Sequence, residues 1–432
     1  MTDRDRRQRF FREMADVPLN PEDPRYYPLY EDQSDVVLRL KETILFSEGE
    51  SAQLLSGYRG AGKSTELRRL RSELGAEDYT VVLIDVEDYL DLHTPIDITD
   101  FLLALCGALA EKLTDEALLP ESPARAALGQ RLWGFVTGTI VTLKDVSLAG
   151  MKVELKSNPL FRQEVQKALG TSLGAFAREV RGFVAECVLA LEAARPGTAL
   201  VVLVDSVEHA RGTNETEARV HESLERLFAD HDDKLKLPST HVIYTVPPWL
   251  RIRRPNIGSP YSGAGLLTLP AQKVRAYVDD GDGQPYAPGI ERLVQLVGKR
   301  TDWSVVLGDR DALEELILAT GGHLRDLVRV LQTVALEART LPASADARRA
   351  ALERLRAQFT PIPHEDVRWL ARIARSHEAE LRDLEGLGSL ARYFDSHLVL
   401  CYQNGSEWYD VHPIVRDVVL DLADRLESQA AS

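Results

Sequence analysis

The 432 residues predict an α/β protein with a parallel-sheet core, followed by an all-helical block and a small C-terminal domain of helices and one hairpin. Three observations carry this. Apolar, β-rich runs at 79–90 (YTVVLIDVEDYL), 198–210 (TALVVLVDSVEHA) and 241–249 (HVIYTVPPW) alternate with helical spacing, as strands buried on both faces of a parallel sheet do. Beyond 289 the spacing is helical throughout, over 289–299, 311–320, 323–340 and 345–358. After Pro361-Ile362-Pro363 come three helical stretches, HLVLCYQ, Asn404-Gly405, SEWYDVH and a last helix, and Asn-Gly between alternating runs is a strong hairpin signal.

Taken in order, residues 1–14 read as a short charged helix whose arginines are a solvated face or a docking site for a partner, the first being preferred. Four prolines break 17–30 into an extended lead-in, and 33–45 has helical spacing. SAQLLS at 51–56 reads as a strand feeding a glycine-rich loop and a helix, and a further helix covers 97–113. The stretch 131–157 alternates and contains Gly138 and Gly150, which predicts small strands or a hairpin inserted within a segment of about 115–195. Helical spacing resumes over 159–194 and 215–230, and LLTLPAQKV at 266–274 is the last strand of the core. The expected division is a lead-in 1–30, a core 31–287, a helical lid 288–360 and a winged-helix domain 361–432.

A formal net charge of −15, from 52 Lys+Arg against 67 Asp+Glu, is the wrong sign for general nucleic-acid binding, so any DNA contact has to be local. Cys106, Cys187 and Cys401 stand singly in apolar segments, without metal or disulfide spacing, and read as buried thiols of a cytoplasmic protein. The apolar, uncharged run 132–143 is too short to span a bilayer, so no membrane role is expected.

The chemistry starts at GYRGAGKST, residues 57–65. Gly57, four residues, then Gly62-Lys63-Ser64 fits the phosphate-binding loop G-x-x-x-x-G-K-[ST]. Glycines allow several backbone N–H groups to converge on one phosphate, so Gly57, Tyr58, Arg59, Gly60, Ala61, Gly62, Lys63, Ser64 and Thr65 are the candidate nucleotide cradle. Lys63 is expected to reach the β- and γ-phosphates and Ser64 to offer its hydroxyl to Mg²⁺, with ATP as the nucleotide.

Hydrolysis needs a carboxylate at the end of a second buried strand, and VVLVDSVEH supplies Asp205 for Mg²⁺ and Glu208 to polarise a water. The run VVLIDVEDY, with Asp85, Glu87 and Asp88, is the rival. Asp205 is preferred because its sequence distance from the loop leaves room for an intervening strand.

The order of phosphate loop, VVLVDSVE, a strand ending IYTVPP, a helical block opening GGHLRDLVRVL and a winged helix resembles the AAA+ and STAND branch of P-loop ATPases over roughly 20–430. It is most similar to the origin-recognition and archaeal initiator group and its bacterial STAND relatives. The resemblance implies that Thr245 senses the γ-phosphate, that Arg325 is the arginine reporting lid closure, and that Arg251, Arg253 or Arg254 reaches a neighbour's site. Asp205 is followed by Ser206 instead of an adjacent Glu, which departs from AAA+ enzymes, and GGHL stands where STAND relatives usually carry proline.

A regulatory ATPase acting on a protein partner or on its own oligomer is the favoured reading, and the resemblance allows a role in bacterial signalling or antiviral defence. A DNA-associated initiator- or transposition-type ATPase is the alternative. Residues 361–432 hold seven arginines and no lysine against thirteen acids, which favours protein contact over a phosphate backbone.

Overall fold

LVVLVD at 200–205 has no polar face to turn to water, and the computed structural model places it inside a five-stranded sheet. The structure describes all residues except 31–34, 122–126, 141–147, 214, 278–282, 380–385, 405 and 432. Two units are formed, one of Met1–Asp35, Gly57–Thr65 and Leu269–Ser432, the other of Val36–Ser56 and Glu66–Thr268.

The second unit holds the sheet: β1 (Ser51–Gly57), β2 (Thr80–Asp85), β3 (Leu200–Asp205), β4 (Thr240–Val246) and β5 (Leu266–Leu269), in the order β2-β3-β4-β1-β5. The pairs β1–β4, β4–β3 and β3–β2 are parallel, with Leu55 opposite Thr245 and Asp85 opposite Asp205. β1 reads as only weakly apolar because its buried polar side chains have partners: Ser51 Oγ meets His241 Nδ1 at 2.9 Å, and Gln53 Nε2 donates to the Leu40 carbonyl at 3.2 Å. The edge strand β5 covers the first residues of the predicted 266–274 run.

The insertion departs from the expected strands. Residues Gln130–Thr139 and Leu148–Ser157 are helices, and 141–147, the centre of the expected hairpin, lie outside the described residues. Leu132, Val136 and Ile140 are buried at four-residue spacing, so a helical stripe underlies the apparent alternation. A Cβ at Gly134 or Gly138 would meet nothing within 4 Å, and these glycines mark no turn. Helices Pro159–Gly170 and Leu173–Ala194 complete the insertion and pack on helix Ile98–Asp115.

One ion pair fastens that packing. Arg162 Nε lies 3.2 Å from Asp100 Oδ2, and its other nitrogens donate to Thr94 Oγ1 and, at 2.7 Å, to the Pro95 carbonyl. Gln166 adds a bond of 2.6 Å to the same carboxylate. Burial pushes the Asp100 carboxyl up to about 6 against the pull of Arg162.

In the first unit, helix Asp3–Glu13 opens with a capping box in which Thr2 and Asp5 exchange side chain-to-backbone bonds of 2.8 and 3.2 Å. It is not the solvated helix its arginines suggest. Phe10 and Met14 are buried, and the helix packs on Leu324–Glu337, with Arg7 donating to the Ala338 carbonyl and Gln332 to the Phe11 carbonyl at 3.1 Å. The helical block comprises Ala287–Arg300, Arg310–Ala319, Leu324–Glu337 and Ala345–Arg356, as the spacing predicts, with an added turn at Ser304–Leu307.

After Pro361 the described residues hold helices His364–Ser376 and Gly386–Asp395, an antiparallel hairpin of Val399–Asn404 with Ser406–Val411, and helix Pro413–Ala431. This is the winged-helix order, with two helices ahead of the hairpin among the described residues where the spacing leads one to expect three. Residues 380–385 and the expected turn residue Gly405 lie outside the described residues. Cys106, Cys187 and Cys401 are buried free thiols, as expected. No helix among the described residues is long and apolar enough to cross a membrane.

Removing one partner of a buried pair leaves the other charge without compensation. Arg162→Ala is therefore expected to lower stability by about 3–5 kcal/mol in urea unfolding. Arg131→Ala, which breaks an exposed pair with Glu179 in the same insertion, is expected to cost no more than about 1 kcal/mol.

Candidate functional site

The nucleotide cradle is built where β1 ends and helix Lys63–Gly75 begins. Gly60 has φ +90° and Gly62 φ +101°, conformations that turn the chain sharply and that side chains rarely adopt. The first amides of a helix have no intrahelical acceptor, so the start at Lys63 presents donors and the positive end of the helix dipole. Lys63 is 4% exposed, and its ammonium donates to the Gly57 and Tyr58 carbonyls at 2.8 and 2.9 Å. A phosphate would compete with these carbonyls for the same cation. Ser64 is half-buried, and Thr65 Oγ1 accepts from the Leu19 N–H at 3.2 Å, which ties the proline-rich lead-in to the loop.

Tyr58 points the other way. Its ring is fully buried and lies 5.6 Å from that of Phe394, in the helix before the hairpin. The Arg59 carbonyl faces His323 Nε2 at 3.0 Å. A Cβ on Gly60 would stand 2.5 Å from the Arg325 Cβ, so the start of helix Leu324–Glu337 approaches the loop as closely as a missing side chain permits. Arg325 itself donates from Nε to Asp16 at 3.0 Å, and Arg329 joins the same carboxylate at 3.4 Å. Burial lowers the Arg325 pKa from its usual value, and Asp16 opposes that shift.

In the sheet unit, Asp205 ends β3 and Thr245 stands near the end of β4. Asp205 is 5% exposed and its Oδ1 accepts from the Ser206 N–H at 2.9 Å. Ser206 has φ +71°, an uncommon conformation for a residue with a Cβ, and it opens a single turn, Val207–His209, that carries Glu208. Thr245 Oγ1 accepts from the Val207 N–H at 3.2 Å, so this hydroxyl braces the turn and keeps its own proton to donate. His209 bridges Glu87, at 2.7 Å, and Glu208, at 3.7 Å.

Asp85, the rival carboxylate, is raised by burial and caps its own turn by accepting from the Glu87 N–H at 3.0 Å. In the sheet, β3 is separated from β1 by β4 alone, whereas β2 lies one strand further out. Arg253 and Arg254 both pair with Glu225, at 2.9 and 2.5 Å.

The donor chemistry fits the groups the sequence implies. Positive-φ glycines and a buried ammonium suit a nucleotide phosphate, and the Ser64 hydroxyl and the Asp205 carboxylate, each in its own unit, are oxygen donors of the kind that would hold Mg²⁺. When bound, Mg²⁺ supplies positive charge to phosphate oxygens. Sequence reasoning did not find Asp16, His323 or Tyr58's anchoring role, because each depends on a contact across more than 200 residues of chain.

Loop, parallel sheet, helical block and winged helix define the class: a P-loop α/β protein with a helical lid segment and a C-terminal winged-helix domain. Among solved structures, the chain is similar to the ORC2 protein of Aeropyrum pernix, described in ADPNP and ADP complexes, at 13% identity and TM-score 0.44 over 98% of each chain. It is also similar to Cdc6p of Pyrobaculum aerophilum, at 12% identity and TM-score 0.38 over 95% of this chain and 100% of that one. A Walker-type ATPase of Pyrococcus abyssi aligns at 14% identity and TM-score 0.39 over 92% and 99%. No protein-family model matches the chain, and no curated protein sequence does.

Gly60→Ala combines a left-handed backbone with a clash against Arg325, and the clashing Cβ cannot swing aside. It is expected to lower thermal stability by about 1–3 kcal/mol and to weaken nucleotide binding, whereas Gly75→Ala, where a Cβ meets nothing, is expected to leave both unchanged. Melting curves with and without nucleotide check both.

Proposed function

We propose that the chain is an initiator-type regulatory ATPase in which nucleotide at the 57–65 loop sets the position of helix Leu324–Glu337. The observation that supports this most is the close approach of Arg325 to Gly60, which sets a cation beside a phosphate cradle. Arg325 is paired with Asp16, and a γ-phosphate is a competing anion with more charge and more acceptor oxygens. Exchange of Asp16 for phosphate would couple ATP to the helix that carries the arginine and to the N-terminal helix packed on it.

In this reading Lys63 binds the β- and γ-phosphates, Ser64 and Asp205 hold Mg²⁺, Thr245 senses the γ-phosphate and Glu208 orients the attacking water. Slow turnover goes with the spacing Asp-Ser-Val-Glu, which carries the base onto a separate turn beside His209. Lys63→Ala is expected to weaken ATP binding at least about tenfold in calorimetry. Asp205→Ala should remove the Mg²⁺ dependence of binding. Glu208→Gln should bind ATP normally and hydrolyse it about 100-fold more slowly or worse. If Asp85→Ala removes the Mg²⁺ dependence and Asp205→Ala does not, the metal carboxylate is on β2.

An output at DNA is supported by the initiator-like element order, by the GGHLR segment, and by Arg368, Arg372 and Arg375, spaced to share one face of helix His364–Ser376. Control of a protein partner or a second copy is supported by charge. Arg375 pairs with Asp424 and Glu427, Arg392 pairs with Asp366, and the hairpin strands carry no lysine or arginine. Anisotropy titration of the full chain with duplex DNA at about 50 and 200 mM salt separates them, since phosphate-driven binding falls steeply with salt. Salt-sensitive binding that the double variant Arg368→Glu, Arg372→Glu removes is the outcome expected of an initiator-type protein. Absence of binding at the lower salt assigns the output to a protein.

A further inference from the structure

Four titratable side chains meet in the interior of the unit that holds the loop. Asp326 Oδ2 lies 2.8 Å from His323 Nδ1, 3.2 Å from His412 Nε2 and 3.4 Å from His397 Nε2. His323, Asp326 and His412 are fully buried, and the His397 side chain is 18% exposed. Such short contacts should be good hydrogen bonds. They are not: His323 Nδ1, His412 Nε2 and both Asp326 oxygens lack an aligned hydrogen-bond partner.

The tautomers sharpen the problem. The Arg59 carbonyl can only accept, so His323 Nε2, 3.0 Å away, carries a proton. In a neutral ring that leaves the His323 Nδ1 lone pair facing a carboxylate oxygen at 2.8 Å, which is repulsive unless a cation lies between them. His412 Nδ1 accepts from the Ile414 N–H at 3.2 Å, so its Nε2–H faces Asp326 as a donor. His397 stacks on His323 with ring centroids 4.6 Å apart, and its Nε2 lies 3.4 Å from the same Asp326 oxygen.

We propose that His323 Nδ1, Asp326 and His397 Nε2 bind a divalent transition-metal cation of the zinc class. One ligand atom from each of the three lies within 4.8 Å of the others. Ligands at zinc distances in a tetrahedron are about 3.3 Å apart, and the contacts of 2.8 and 3.4 Å bracket that value. Two imidazoles and a carboxylate suit zinc better than magnesium or calcium, which take oxygen sets. The surroundings are those of a metal histidine: His323 gives its other N–H to a carbonyl, and the His412 Nε2–H faces the ligating carboxylate at 3.2 Å. The carbonyl belongs to Arg59, so the cation would fix one face of the nucleotide loop.

The test uses the full chain stripped with a chelator and titrated with CoCl₂ and ZnSO₄. One equivalent of cobalt per chain, with visible bands of tetrahedral intensity that zinc displaces, is expected. His397→Ala and Asp326→Asn should lose the bands, and Lys63→Ala should keep them. His412→Ala should retain one equivalent with affinity about tenfold weaker. Circular dichroism of each variant separates loss of the site from loss of the fold, and His397→Cys, which restores a soft ligand, should recover cobalt binding with a thiolate absorption. Absence of a bound equivalent in the folded protein, or binding unchanged in His397→Ala, overturns the proposal and leaves a proton between His323 and Asp326.

Discussion

Several backbone N–H groups can converge on one phosphate only where the chain turns through conformations that a Cβ forbids, and the rest of the molecule's chemistry depends on that constraint. Gly60 and Gly62 meet it with φ of +90° and +101°. The same bare backbone lets the helix beginning at Leu324 come within contact distance, so that a lysine from one side and an arginine from the other border the cradle. A cation so placed has to be satisfied, and the protein does this with its own carbonyls at Lys63 and with Asp16 at Arg325. These internal acceptors, two neutral carbonyls and one carboxylate, hold the geometry of the two cations.

The carboxylate edge follows a related logic. After the buried carboxylate that ends β3 the chain changes direction at once, and Ser206 makes the change at φ +71°. That strain is held by Thr245, whose hydroxyl takes the amide of the next residue. The threonine therefore links the ends of β3 and β4, and whatever moves its hydroxyl also moves the turn bearing Glu208.

What could be read in the sequence was what depends on neighbours in the chain. The loop spacing, the runs of β2, β3 and β4 and the helices after 289 are local patterns, and they stand in the structure where the residues place them. The insertion was misread because glycines and β-branched residues at 131–157 mimic alternation while Leu132, Val136 and Ile140 keep a helical stripe. The first helix was misread because its arginines outnumber its apolar residues, yet Phe10 and Met14 suffice to bury one face. The partners of Arg325 and His323 had no local signature at all. Asp16 lies 309 residues from the arginine it holds.

The burial of Tyr58 against Phe394 has a practical cost for anyone dividing this chain at Pro361. An aromatic ring from the start of the nucleotide loop packs on Phe394 of the C-terminal domain, so cutting that domain away would strip the loop of its anchor and expose the ring to water. A truncated protein would then report a damaged binding site and not an autonomous core. The excised domain would in turn carry a hole where the ring had been. Domain dissection, the usual way of assigning activities in a chain of this size, would here confuse loss of an output module with loss of nucleotide binding, and point substitutions in the intact protein are the sounder instrument.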